Sequence, residues 1–115
     1  RLGEKKAPRY VTWSHQNRSQ LIRIPAAEGE YKRFELRSPD PTANPYVCFA
    51  LLIRAGLDGI QKNLTPPEPL NVNLYTAGPE ITDDLQRLPD SLEEAHELAR
   101  NSEFIRAVLP EDILQ

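Results

Sequence analysis

With 115 residues, 39% of them hydrophobic and 27% charged, the chain has the size of one domain with one modest core, and its composition excludes intrinsic disorder. No apolar run approaches the ~20 residues of a membrane span, nothing at the N-terminus has the pattern of a secretion signal, and the single Cys48 excludes an internal disulfide or a cysteine zinc cluster, so a reducing, cytoplasmic setting is expected. The net charge of −3 hides an asymmetry: residues 1–37 carry nine Lys or Arg against four Glu, a net of +5, and the remainder carries five basic and thirteen acidic residues, a net of −8. The basic third is therefore expected to face an anion: phosphate, carboxylate or nucleic acid.

In chain order, "YVTWS" from Tyr10 reads as a strand, "QLIRIP" as a second, and "YKRFEL" as a third after a turn at Gly29. The second and third are close enough in sequence to form a hairpin. Alternation puts Leu21 and Arg23 on one face of the second strand and Ile22 and Ile24 on the other. In the third it separates Phe34 and Leu36 from Arg33, Glu35 and Arg37. Pro39 and Pro41 end the sheet, since proline donates no ladder bond. Asn44 then caps a helix whose first residue is Pro45. That helix, over 44–62, is apolar around much of its circumference and is expected to be buried inside something larger. Residues 64–90 are Pro-rich and read as a surface loop. Over 91–115 a capping box of Ser91 and Glu94 opens a helix, a shorter one follows over Glu103–Leu109, and "PEDILQ" starts one more turn. Cys48 falls in the apolar run "YVCFALLI", where it reads as a small buried hydrophobe. The fold class is α+β, antiparallel strands followed by helices. Three strands are few for a sheet, so a fragment of a larger fold is expected.

Three charged side chains on one strand face admit more than one reading. Arg33, Glu35 and Arg37 form a salt-bridge ladder, or Glu35 is a hard-metal ligand beside anion-binding arginines, since Mg2+ takes one or two carboxylates plus phosphate oxygens. Arg18 and Arg23 lie roughly 16 Å apart on an extended chain. A bend at Ser19–Gln20 would bring them together on one elongated anion such as a polyphosphate, which guanidinium groups bind through paired N–H donors. A nucleic-acid surface, with Tyr10, Trp13 and Tyr31 as stacking residues, is the third reading. Interspersed acidic residues and the absence of a nucleic-acid motif count against it. Two histidines far apart, His15 and His96, do not make a metal site.

The stretches "NRSQLIRIP", "KRFELRSPDPTANPY" and "LLIRAGLDGI", in this order and spacing, resemble the C-terminal part of the catalytic domain of bacterial type I glutamine synthetases. The resemblance covers essentially all of 1–115 and is strongest from Pro8 to Ile60. It implies a funnel-like domain of antiparallel strands wrapped by helices, assembled in two stacked rings as a homo-oligomer (a dodecamer), with active sites between neighbouring subunits. It implies an ATP-dependent ligase, with Mg2+ or Mn2+, that phosphorylates the glutamate γ-carboxylate and lets ammonia displace the phosphate. It also implies no nucleic-acid or membrane partner.

The same resemblance implies roles residue by residue. Glu35 corresponds to a metal ligand at the ATP phosphates. Arg37 corresponds to the arginine on the glutamate side-chain carboxylate and the phosphorylated intermediate. Arg33 corresponds to an ATP contact, and Arg18 and Arg23 to the pair at the phosphates and the transferring phosphoryl group. Arg1 corresponds to a glutamate contact just before the flexible flap. Tyr75 in "NLY" falls where some members carry a regulatory modified tyrosine, but the following "TAGPE" departs from their pattern, and a plain loop tyrosine is the simpler reading. The flap also departs: it reads "GEKKAP", with Lys6 before Ala7-Pro8 where the family commonly has a glutamate, and Glu4 two residues earlier. That departure keeps open a relative ligating a larger amine to glutamate. A non-enzymatic assembly or regulatory module retaining the fold is the rival from another class. The family's remaining metal ligands, much of its nucleotide pocket and its small N-terminal domain correspond to sequence upstream of Arg1, and its ring-clasping segment to sequence after Gln115. The 115 residues alone are therefore expected to be inactive and to require the rest of the catalytic domain.

Overall fold

The computed structural model describes residues 7–113. They fall into two units, one built from residues 7–38 and 67–91, the other from residues 39–66 and 92–113. No helix among the described residues is long and apolar enough to cross a membrane.

The first unit carries a three-stranded sheet in the order β1 (Trp13–His15), β2 (Ile22–Ile24), β3 (Glu35–Leu36). The expected β2–β3 hairpin forms, antiparallel, with Ile22 opposite Leu36 and Arg23 opposite Glu35. The expectation of an all-antiparallel sheet does not hold. β1 and β2 run parallel, with Trp13, Ser14 and His15 beside Ile22, Arg23 and Ile24, so the sheet is mixed within an α+β fold. Parallel neighbours usually need a long crossover. Here each strand has three residues and rises only about 10 Å, a distance that the segment 16–21 can retrace. Gln16 starts the reversal from the left-handed region, at φ 66°, and its N–H donates to the Ile24 carbonyl at 3.1 Å.

Strand three is shorter than its apolar alternation suggests. Gly29–Tyr31 form a single tight helical turn, with Gly29 at φ 62°, and pairing starts only at Glu35. The segment 67–91 contains the short α2 (Pro79–Thr82) and is pinned to the sheet by backbone bonds: Leu70 N–H to the Trp13 carbonyl, Val11 N–H to that of Gln86, and Leu88 N–H to that of Arg9. Ala7 and Leu74 are the buried apolar side chains among the described residues.

The second unit holds α1 (Pro45–Gln61), α3 (Leu92–Arg100) and α4 (Glu103–Val108), with α4 packed against both others. Asn44 caps α1, its Oδ1 accepting from the N–H of Tyr46 at 2.9 Å and of Val47 at 3.4 Å. Just before it, the Asp40 carboxylate accepts from the Thr42 N–H at 2.9 Å and its hydroxyl at 2.7 Å. These two bonds favour the ionised form and hold the Asp40 carboxyl down to about 2. At the other end Asn63 adopts the left-handed conformation, φ 53°, and Leu64 N–H returns to the Gly59 carbonyl, so the helix stops without a glycine. Ser102 caps α4 through the Ile105 N–H. None of the α1 residues is buried.

Candidate functional site

The hairpin register places Arg23 directly across from Glu35, and β1 places Ser14 on the other side of Arg23. Residues in register share a sheet face. Arg23 grips the carboxylate with two nitrogens, Nη2 to Oε2 at 2.7 Å and Nε to Oε1 at 3.4 Å. Arg37, two residues beyond Glu35, reaches Oε1 with Nε at 3.2 Å. Its backbone N–H donates to the Leu21 carbonyl, which extends the β2–β3 contact by one more residue. The Arg23 hydrogen bond is the main cause that holds the Glu35 carboxyl below its ordinary range, with the charges of Arg23, Arg37 and Arg18 adding to it. The same bond raises the Arg23 guanidinium.

Three guanidinium groups thus act on one carboxylate, two by contact and Arg18 through its field. The cluster has a surplus of two positive charges, which suits a multiply charged oxyanion. The triad differs from the one expected. Arg23, from the neighbouring strand, takes the place expected for Arg33. Arg33 precedes the paired part of β3, and its Nη1 donates to the Tyr31 carbonyl at 3.0 Å. Arg1 and the flap residues Glu4 and Lys6 lie outside the described residues.

The bend expected at Ser19–Gln20 is present, and its support comes from a segment more than fifty residues away. Ser19 Oγ accepts from the Leu74 N–H at 2.9 Å and lies within donating distance of Asn17 Oδ1, 2.7 Å, and the Val72 carbonyl, 3.2 Å. Gln20 is fully buried and donates through Nε2 to the same Val72 carbonyl at 3.0 Å. This places Tyr75 at the arginines: its hydroxyl is 3.4 Å from Arg37 Nη1 and 3.4 Å from the Arg18 carbonyl. Sequence spacing carries no signal for Ser19, Gln20 or Tyr75, because their partners are remote in the chain. Thr12 Oγ1, Ser14 Oγ and Gln20 Oε1 are buried and lack a protein partner. Trp13 is tied into the fold by its indole N–H, which donates to the Pro67 carbonyl at 2.6 Å, and by an edge contact with His15.

Ser19→Ala should be costly for its size. It leaves the buried Leu74 N–H without its acceptor, a loss of about 1–3 kcal/mol. Thermal unfolding of the full-length protein should show a midpoint lowered by several degrees, whereas an unchanged midpoint would mean that the 72–75 segment is held some other way.

Among the described residues no three His, Cys, Asp or Glu side chains gather as a metal site. Glu35 supplies one carboxylate, and both its oxygens are engaged by arginine. The described residues therefore do not form a metal site by themselves, and Glu35 can serve only as one ligand within a larger set.

The model of the glutamine synthetase catalytic domain family matches residues 1–115. The chain is 46% identical over 110 residues to a glutamine synthetase of Methanosarcina mazei, covering 94% of this chain and 25% of that protein. It is 45% identical over 112 residues to one of Thermotoga maritima, covering 96% and 26%. A solved GmaS/ADP complex superposes with a TM-score of 0.80 at 33% identity, over 95% of this chain and 24% of that one. The chain thus spans about a quarter of the length of the proteins it matches. With the family model matching its whole length, the chain belongs to the glutamine synthetase catalytic domain family.

Proposed function

We propose that the chain is the arginine-bearing portion of an ATP-dependent ligase that makes glutamine from glutamate and ammonia through γ-glutamyl phosphate. The observation that carries this reading is the convergence of Arg23 and Arg37 on Glu35, with the charge of Arg18 near enough to act on the same carboxylate. Phosphoryl transfer asks the protein mainly for positioning and positive charge where negative charge concentrates. Arg18 and Arg23 bind the phosphates and meet the charge that builds up on the transferring group. Arg37 orients the glutamate γ-carboxylate and then the acyl phosphate, and Arg33 contacts the nucleotide. The solved relative is a complex with ADP, which supports an adenine nucleotide as the donor. Members of the family depend in general on ATP and a divalent metal. In this chain Glu35 is the residue to contribute to such an ion, and the remaining ligands come from the rest of the polypeptide. The functional partners on this reading are the rest of the catalytic domain, further copies in a ringed homo-oligomer, and a cytoplasmic supply of glutamate, ammonia and ATP.

A second reading, a glutamate–amine ligase, is favoured by Lys6 in the flap, where the family commonly has a glutamate. One assay separates them. The full-length protein is given ATP, Mg2+ and glutamate with either ammonium or methylamine, and amide and phosphate are measured. Equimolar glutamine and phosphate with ammonium support the first reading. Turnover with methylamine alone supports the second. No ATP-dependent amide with either amine would favour the non-enzymatic module. The 115-residue chain assayed alone should form no glutamine.

A further inference from the structure

Tyr75 stands between two of the arginines. Its hydroxyl lies 3.4 Å from Arg37 Nη1 and 3.4 Å from the Arg18 carbonyl. A guanidinium only donates and a carbonyl only accepts, so the polarity is fixed. Arg37 donates to the phenol oxygen, and the phenol O–H donates to Arg18. The side chain is 40% exposed. A hydroxyl that exposed can be satisfied by water, so burial does not force it toward the arginines.

The backbone around Tyr75 aims it there. Its N–H donates to Asn73 Oδ1 at 3.0 Å, and the N–H of buried Leu74 donates to Ser19 Oγ at 2.9 Å. These ties hold Tyr75 beside Arg18 independently of its hydroxyl. The two hydroxyl contacts therefore differ in what they add. The backbone around Arg18 is already fixed, with the Asn17 N–H on the His15 carbonyl and the Ser19 N–H on Asn17 Oδ1. The Arg37 guanidinium ends a long side chain, and Glu35 holds it at Nε. Tyr75 adds a second point, at Nη1 and from a different segment. Two points on a planar fork set the direction in which its N–H donors aim. A neutral hydroxyl does this without removing charge, whereas a carboxylate in its place would cancel part of the cluster's positive surplus.

We propose that Tyr75 is a positioning residue for the ligase reaction, its hydroxyl orienting Arg37 toward the glutamate carboxylate. The proposal rests on the reading above that Arg37 binds that carboxylate.

Tyr75→Phe in the full-length protein tests it. The variant keeps the ring and the backbone bond to Asn73. Its kcat/KM for glutamate should fall by about fivefold to tenfold, the scale of one hydrogen bond to a charged group, while KM for ATP stays within about twofold. In an Arg37→Lys background, where the charge remains but the second nitrogen is gone, Tyr75→Phe should cost less than about twofold. An unchanged glutamate parameter would overturn the proposal. So would equal losses for glutamate and ATP, which would mark a general loosening of the segment, or a full loss repeated in the Arg37→Lys background. Calorimetric titration of glutamate into the same proteins reads the effect without turnover. A parent that binds glutamate but forms no amide rejects the ligase reading, and the glutamate Kd of Tyr75→Phe still decides whether the hydroxyl orients Arg37. A parent that binds no glutamate overturns both.

Discussion

Glu35→Gln in the full-length protein should lower ATP-dependent glutamine formation by at least about 100-fold while leaving the fold intact. Glutamine keeps the size of the side chain and one carbonyl acceptor, so Arg23 retains a single bond. The other oxygen becomes an amide NH2, a donor facing guanidinium donors. The loss of one negative charge has two consequences. On the proposed reading a divalent ion loses a hard oxygen ligand and binds more weakly. Arg23 and Arg37 lose the anion that orders them, and removing one preorganised electrostatic contact from a transition state costs about 100–1,000-fold in turnover. The checks are steady-state kcat with the metal titrated, and far-ultraviolet circular dichroism to show that the fold survives. Turnover within threefold of the parent would remove Glu35 from the site.

Arg23→Met should be nearly as damaging, and its effect should be inseparable from that of Glu35. Methionine has similar reach and no charge, so the carboxylate loses the two-nitrogen grip at 2.7 and 3.4 Å. Because Arg23 and Glu35 act as a unit, the double variant Arg23→Met/Glu35→Gln should lose far less than the product of the two single losses, by about tenfold or more. Multiplicative losses would show that the pair is not coupled. The pH dependence gives a second readout. In the native protein Glu35 titrates below its ordinary value of 4.5, so its contribution is present above that value and is lost as pH falls through the depressed one. Arg23→Met removes the largest cause of the depression. The acid limb of kcat/KM should therefore move to higher pH, toward 4.5. An acid limb that stays in place would mean that Arg37 and Arg18 set the carboxyl's titration.

The helix over 44–62 and the stop before it were legible because their causes are local. Asn44 followed by Pro45 is a cap and a helix start within two residues, and the observed helix begins at Pro45. Nearness in sequence pointed to the β2–β3 hairpin. Alternation overstated strand three, because it does not register that Gly29 sits in the left-handed region and delays pairing to Glu35. Nor did it reveal the parallel partner of β2. Strand direction depends on how the chain turns at Gln16, and period-two patterning is the same for either direction.

The sequence by itself determined the family, through three motifs in order, and the kinds of group at the site: arginines, one carboxylate and no cysteine or histidine cluster. These follow from residue identity and short spacing. Only the tertiary structure decided that Arg23, not Arg33, joins Arg37 on Glu35, and that Tyr75 reaches both Arg37 and the Arg18 carbonyl. Those choices depend on the register between strands and on the fold of a segment some fifty residues away. The order of residues along the chain leaves such distances open until backbone hydrogen bonds and the burial of Ser19, Gln20 and Leu74 close them.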